Sequence, residues 1–209
     1  MVKHYSNFNI QKRHRESIIL IGNFDGLHLG HQKLFELAQS YKKKYNLKIG
    51  VVNFDPMPKM FFNKKLKNFR LSNIDQKIKL LSKLKVDFVI TKKFDKKFSK
   101  TKALNFISQI LNKKLSSKFI FVSNNFRFGN KREGNVNLLK KYEKLFNYKV
   151  VKPEPLIKNK KIVSSSLIRN LLEKGLLKKA NNLLKRYWTI QGVVKKGRQV
   201  GKKNWFSNL

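Results

Sequence analysis

Short runs of aliphatic and β-branched residues alternate along this chain with longer, lysine-rich segments whose apolar residues recur every three or four positions. Ser17–Gly22 (SIILIG), Lys48–Phe54 (KIGVVNF), Asp87–Ile90, Lys118–Val122 and Lys149–Val151 are too short and too uniformly apolar for helices, and they predict buried strands. Between them the helical period predicts helices over His31–Tyr45, Ile74–Leu84, Thr101–Leu115 and Val136–Phe146, with Leu104, Ile107, Ile110 and Leu111 forming one face of the third. Asp55–Phe62, interrupted by two prolines, is expected to be a loop. Strands that alternate with helices and are apolar on both faces predict an α/β fold, a parallel sheet covered by helices on both sides. Two short helices near Ser165–Glu173 and Leu176–Leu184 follow, and Trp188–Val194 (WTIQGVV) is expected to be a strand that belongs to nothing upstream.

The 209 residues suffice for one α/β domain with a short appendage. Cysteine is absent, which excludes disulfides, thiolate metal sites and cysteine nucleophiles. No apolar run reaches the roughly 18 residues that span a bilayer, and residues 1–17 hold no apolar signal core, so a cytoplasmic protein is expected. The net charge of +38 invites a polyanion as partner. Only eight of the 49 basic residues are arginine, however, and the lysines are spread over the whole chain together with abundant Asn, Ile and Phe. All are residues of A/T-rich codons, so composition accounts for much of the charge. A nucleic-acid-binding module, which interleaves basic and aromatic residues on one face, is the alternative held against an enzyme of nucleotides.

In open α/β sheets, ligands bind outside the carboxyl ends of the strands, and the unusual residues of this chain stand there. The first strand runs into Gly22-Asn23-Phe24-Asp25-Gly26-Leu27-His28-Leu29-Gly30-His31. Its glycines let backbone approach a ligand, and the helix start beyond supplies free N–H groups and a positive dipole end. His28 and His31, three residues apart, can both face one phosphate; the alternatives are capping or surface histidines, and no third ligand is apparent for zinc. The second strand ends in Asn53-Phe54-Asp55-Pro56-Met57-Pro58, which is either a wall for a ring or a packed loop. The fourth ends in Val122-Ser123-Asn124-Asn125-Phe126-Arg127-Phe128-Gly129. There an arginine between two phenylalanines offers a rigid fork in a chain otherwise rich in lysine, unless the pair is core and the arginine surface. Ser164-Ser165-Ser166-Leu167-Ile168-Arg169 places hydroxyls at a helix start, where serines also serve as plain caps, with an arginine one turn later.

These four stretches (GNFDGLHLGH, NFDPMP, FRFG and SSSLIR), in this order, resemble the bacterial bifunctional riboflavin kinase/FAD synthetase family over residues 15–185, and 192–201 resembles the opening of its kinase module. The resemblance implies a Rossmann-like nucleotidyltransferase fold and the transfer of AMP from ATP to FMN, giving FAD and pyrophosphate. It implies His28, His31, Asn125 and Arg169 as catalytic residues, with Ser164 and Arg169 at the β- and γ-phosphates. Gly22, Asn23, Phe24, Asp25, Gly26, Gly30, Ser164 and Ser165 are then expected to bind nucleotide, and Asn53, Pro56, Phe62, Phe126, Arg127 and Phe128 flavin. Mg²⁺ is expected to arrive with ATP, bridging phosphates largely through water, and no metal is expected on the protein itself. The chemistry agrees: the attacking phosphate of FMN has its second pKa near 6 and is mostly ionised at pH 7. Neither a general base nor a covalent nucleophile is needed.

The chain departs from the family pattern at three places. Met57 stands where histidine is usual, Ser123-Asn124-Asn125 where Gly-x-Asp is usual, and Ser166 where threonine is commonest. An inactive remnant of the flavin enzyme is therefore a further alternative. The resemblance divides the chain into an adenylyltransferase domain over residues 1–185 and the start of a kinase β-barrel over 186–209. The Gly-Phe-Pro-Thr motif expected after Gly201 is replaced by Lys202–Leu209 (KKNWFSNL). Reconstructed codons AAA AAA ATT GGT TTT CCA ACT TGT AAT would encode Lys-Lys-Ile-Gly-Phe-Pro-Thr-Cys-Asn. One added A gives AAA AAA AAT TGG TTT TCC AAC TTG TAA, which spells Lys202–Leu209 and a stop. The expectation is a slip in an oligo-A tract, or an error in reading it, with kinase activity lost.

Overall fold

The computed structural model describes residues 2–66, 69–192 and 194. Six parallel strands form the central sheet: β1 (Lys3–Tyr5), β2 (Ile18–Ile21), β3 (Ile49–Asp55), β4 (Phe88–Lys93), β5 (Phe119–Phe121) and β6 (Lys149–Val151), in the order β1-β4-β3-β2-β5-β6. The strand order reverses between β2 and β5, so the switch point lies outside their carboxyl ends. The α/β class expected from the alternation, and the Rossmann-like sheet implied by the resemblance, are the ones found.

Period-two alternation in β2 divides the core. Ile19 and Ile21 join Val52, Ile90, Ile120 and the helical residues Phe106, Ile107, Ile110 and Leu111 on one face. Ile18 and Leu20 join Ile49, Val51, Val89 and Phe121 on the other, against Phe35 and Ala38 of α1 (Leu29–Tyr45) and Leu81 of α3 (Ile74–Lys83). Helix α2 (Pro58–Phe62) occupies part of the stretch expected to be a loop. Proline at its first position has no N–H to lose there, so the second proline starts a helical turn instead of preventing one. The helix expected over Thr101–Leu115 is one α-turn, Ala103–Asn105, continued as α4 (Phe106–Lys114), a π-helix. Its buried residues, 106/107 and 110/111, and Leu115 beyond follow the wider turn. The segment Val136–Phe146 breaks at Tyr142 after α5 (Val136–Lys141).

Helices α6 (Ser165–Glu173) and α7 (Leu177–Leu184) carry a third cluster, in which Ile168, Ala180, Leu183 and Leu184 pack on Leu71 and Val163. The strand expected over Trp188–Val194 is not formed among the described residues of that stretch. Trp188 instead donates its backbone N–H to Asn181 Oδ1 (2.8 Å) and its indole N–H to the Leu71 carbonyl (3.0 Å), and its ring joins the third cluster. The kinase-like residues 195–209 lie outside the described residues.

Candidate active site

The turn after β2 is built from left-handed backbone. Phe24 (φ 45°), Gly26 (φ 77°) and Leu27 (φ 44°) reverse the chain so that α1 starts immediately beyond. A Cβ at Gly26 would also fall 2.8 Å from Leu71, so glycine is required there twice over. Asp25 is buried beneath the turn, 2% exposed. Its carboxylate accepts hydrogen bonds from Leu71 N–H (3.0 and 3.1 Å) and Ser72 N–H (3.3 Å) and pairs with Arg169 at 2.6 Å. Arg169 further donates its Nε–H to the Phe69 carbonyl (2.7 Å) and stacks 3.7 Å over the Phe69 ring. Ser165 Oγ donates to the Asp25 carbonyl (2.9 Å), and Ser164 Oγ caps α6 by accepting from Leu167 N–H. The serine–arginine motif is thereby docked onto the glycine-rich turn, 144 residues away in sequence.

His28 caps α1 without a side-chain bond, and His31 stands one turn further on. Their rings stack with centroids 3.7 Å apart. Gly30 makes the arrangement possible, since a Cβ there would meet two His28 ring atoms and the Val163 carbonyl at 3.2 Å. The Nδ1 atom of each ring is buried and has no partner among the described residues, an uncommon state for buried polar atoms. Burial, with Arg169 adding to it, lowers the pKa of His28 to about 4. Burial, then His28 and Lys77, hold His31 well below its ordinary value. Both imidazoles are thus neutral at pH 7. They present dipoles, and not charges, beside the free N–H groups of the α1 start.

The low pKa of His28 fixes a pH dependence of stability. The unfolded chain binds this proton near pH 6.5 and the folded one near 4, so the stabilisation is complete above 6.5 and is lost as pH falls towards 4. The loss expected from this group is ~3 kcal/mol, read as denaturant stability between pH 7 and 4. It should be absent in His28→Ala; equal acid sensitivity in both proteins would contradict it.

A second group of residues surrounds a cavity of about 610 Å³ beyond the ends of β3 and β4. Phe54, Phe62, Phe94, Phe98, Phe106, Phe126 and Phe128 supply its apolar walls, and Lys59, Arg127, Lys131 and Arg132 its cations. Phe126 and Phe128 stack at 5.4 Å, and Phe128 leans on Phe106 at 5.4 Å. Of the residues expected to bind flavin, Phe62, Phe126, Arg127 and Phe128 line this cavity, whereas Asn53 and Pro56 do not. Asn53 is 2% exposed at the end of β3, with an Nδ2 that has no partner among the described residues. Asn125 is exposed, accepting from Ser123 Oγ at 3.0 Å. Met57, 3% exposed, opens α2.

Three residues of the site escape sequence reasoning. Asp55 and Arg70 form an ion pair where β3 meets the segment leading into α3. Lys77, on α3, is 5% exposed, and its ammonium has neither hydrogen bond nor ion pair among the described residues. The one signal for Lys77 is its place: four residues before the buried Leu81, it occupies the inward stripe of an amphipathic helix.

The FAD synthetase family model matches residues 10–167. Curated relatives include a bifunctional riboflavin kinase/FMN adenylyltransferase of Buchnera aphidicola subsp. Acyrthosiphon pisum, 41% identical over 93% of this chain and 62% of its own length. The protein of the same description from Escherichia coli K12 is 34% identical over 93% of this chain and 62% of its own. A FAD synthetase of Listeria monocytogenes is 29% identical over 91% and 77%. The chain therefore spans about three fifths of the length of the two bifunctional relatives. Among solved structures, one described as a macrolide-efflux protein from Streptococcus pneumoniae matches with a TM-score of 0.79 and 25% identity, over 97% of this chain and 66% of that one. Among the described residues, no helix is long and apolar enough to cross a membrane.

Proposed function

This chain belongs to the FAD synthetase family, and we propose that it transfers AMP from ATP to FMN, releasing pyrophosphate, through a module taken to span residues 1–185. The observation that carries this reading is the pair of stacked, neutral histidines at the start of α1, with buried and unpartnered Nδ1 atoms, beside an aromatic cavity rimmed by cations. The first suits the phosphates of a nucleotide and the second a flat apolar ring that carries a phosphate.

The reaction needs two polyanions held in line and charge stabilised at the α-phosphorus and on the departing pyrophosphate. Neutral imidazoles and backbone N–H groups donate hydrogen bonds that strengthen as that charge grows. Arg169 serves chiefly as a positioning residue, since Asp25, Phe69 and the aromatic face beneath it hold its guanidinium. The carboxylates beside the glycine turn are both committed, Asp25 to Arg169 and backbone, Asp55 to Arg70. That donor set fits Mg²⁺ carried by ATP, with phosphate oxygens and water as its ligands, better than Mg²⁺ held by protein. The metal would neutralise phosphate charge.

Incubation of the chain with FMN, ATP and Mg²⁺, followed by chromatography, should yield FAD; none formed over hours would contradict the reading. Phe126→Ala should weaken FMN binding by about tenfold, the worth of one stacking contact, with saturating rate within about twofold. An unchanged FMN affinity would remove the flavin from this cavity.

A further inference from the structure

Among the described residues Lys77 has no ion pair of its own. The segment before it is clamped to the glycine-rich turn: Leu71 and Ser72 donate N–H groups to Asp25, Gly26 N–H donates to Ser72 Oγ (3.4 Å), and Arg70 pairs with Asp55. Asn73 and Gln76 then close a reciprocal cap on α3, fixing where its first turn points. Leu81, one turn beyond Lys77 on the same face, packs in the cluster that holds Phe24 and Phe35. The edge of the Phe24 ring meets His31 at 5.3 Å between centroids. Lys77 is thereby brought to the inner side of α3, against the turn that carries the two histidines.

The charges there do not balance. Asp25 is matched by Arg169 and Asp55 by Arg70, one to one. Both imidazoles are neutral. Lys77 is a third cation against two anions, 5% exposed, with no partner among the described residues. Burial pulls its pKa below the ordinary lysine value, Asp25 opposes the fall, Arg70 deepens it and Asp55 opposes it. Its ammonium is not among the buried polar atoms that lack a partner, so the stem is buried while the charged end stays accessible, free of any ion pair among the described residues.

We propose that Lys77 is a further phosphate-binding residue of this site, its ammonium pairing with the polyphosphate of the nucleotide and with the pyrophosphate that leaves. This rests on the nucleotidyl-transfer reading for the identity of the anion. The location on the histidine side, and not among the cations of the aromatic cavity, assigns it to the nucleotide and not to FMN. A bound polyphosphate supplies the missing negative charge, and a compact ammonium suits phosphate oxygens that shift as the α-bond breaks.

The test uses the full chain with Lys77→Met and, as a less drastic change, Lys77→Gln. Thermal unfolding is followed alone, with inorganic pyrophosphate and, separately, with FMN, and FAD formation is assayed in parallel. The wild type should gain melting temperature from pyrophosphate. Both variants should melt close to the wild type when alone, because the ammonium has no ion pair among the described residues to lose. They should lose most of the pyrophosphate gain, keep FMN binding within about twofold and lose about 10²-fold in FAD formation. A structural lysine would behave oppositely, with lower melting temperature and the pyrophosphate gain intact, and that result overturns the proposal. So does a wild type indifferent to pyrophosphate, or variants that lose FMN binding and keep the pyrophosphate response. If the wild type makes no FAD yet shows a Lys77-dependent response to pyrophosphate, the reaction fails and the Lys77 assignment stands.

Discussion

Alanine at His31 is expected to lower FAD formation by about 10²-fold or more, the usual effect of removing one donor aimed at developing charge. His31 is one turn inside α1, and its ring is wedged between His28 at 3.7 Å and Phe24 at 5.3 Å. The ring therefore has little rotamer freedom and needs little reorganisation when charge appears. It is neutral at pH 7, so its contribution should not titrate near pH 6.5; the acid limb of the rate should follow the second ionisation of the FMN phosphate instead. Folding should survive, because the ring touches the core only by its edge contact with Phe24 and its Nδ1 holds no partner among the described residues. His28→Ala should fall in rate comparably. Single mutants with unaltered rates would remove the imidazoles from the chemistry.

Asp25→Ala is expected to be the most destabilising single change at the site. It leaves Leu71 N–H and Ser72 N–H without their acceptor and strands Arg169, whose side chain is 15% exposed, beside an emptied position. Breaking a largely buried pair from one side costs about 3–5 kcal/mol, which denaturant unfolding measures directly. Because the Asp25 carboxylate also holds the approach to α3 and Arg169 of α6, activity should disappear with the fold's local order even where the protein stays folded. A loss below about 1 kcal/mol would show that the pair is not what joins the glycine turn to α6.

Legibility in the sequence followed the range of the interactions. Ile18–Ile21 and the Ile49–Val52 part of β3 announce themselves because strands buried on both faces must be apolar. Lys3–Tyr5 does not: at the sheet edge it needs only backbone pairing to β4, and its side chains are largely exposed. WTIQGVV reads as a strand by composition, but Trp188 is fixed by Asn181 and Leu71, partners that no local pattern reveals. The site behaves likewise. The glycines and histidines of residues 22–31 are visible because turn geometry and chemistry coincide in one short segment. The pairing of Arg169 with Asp25 depends on a contact across 144 residues, so the sequence could not show that a side chain expected at the phosphates also braces the glycine turn. Lys77 is hidden by abundance, one lysine among dozens, and only burial singles it out.

ATP labelled at its α-phosphorus, supplied to the purified chain with FMN and Mg²⁺, tests the central claim most directly. Adenylyl transfer moves that phosphorus into FAD, while label placed at the β or γ position leaves as pyrophosphate. Label in FAD from α-labelled ATP alone is the predicted result. Label retained wholly in ATP, or recovered in ADP with none in FAD, would contradict the account.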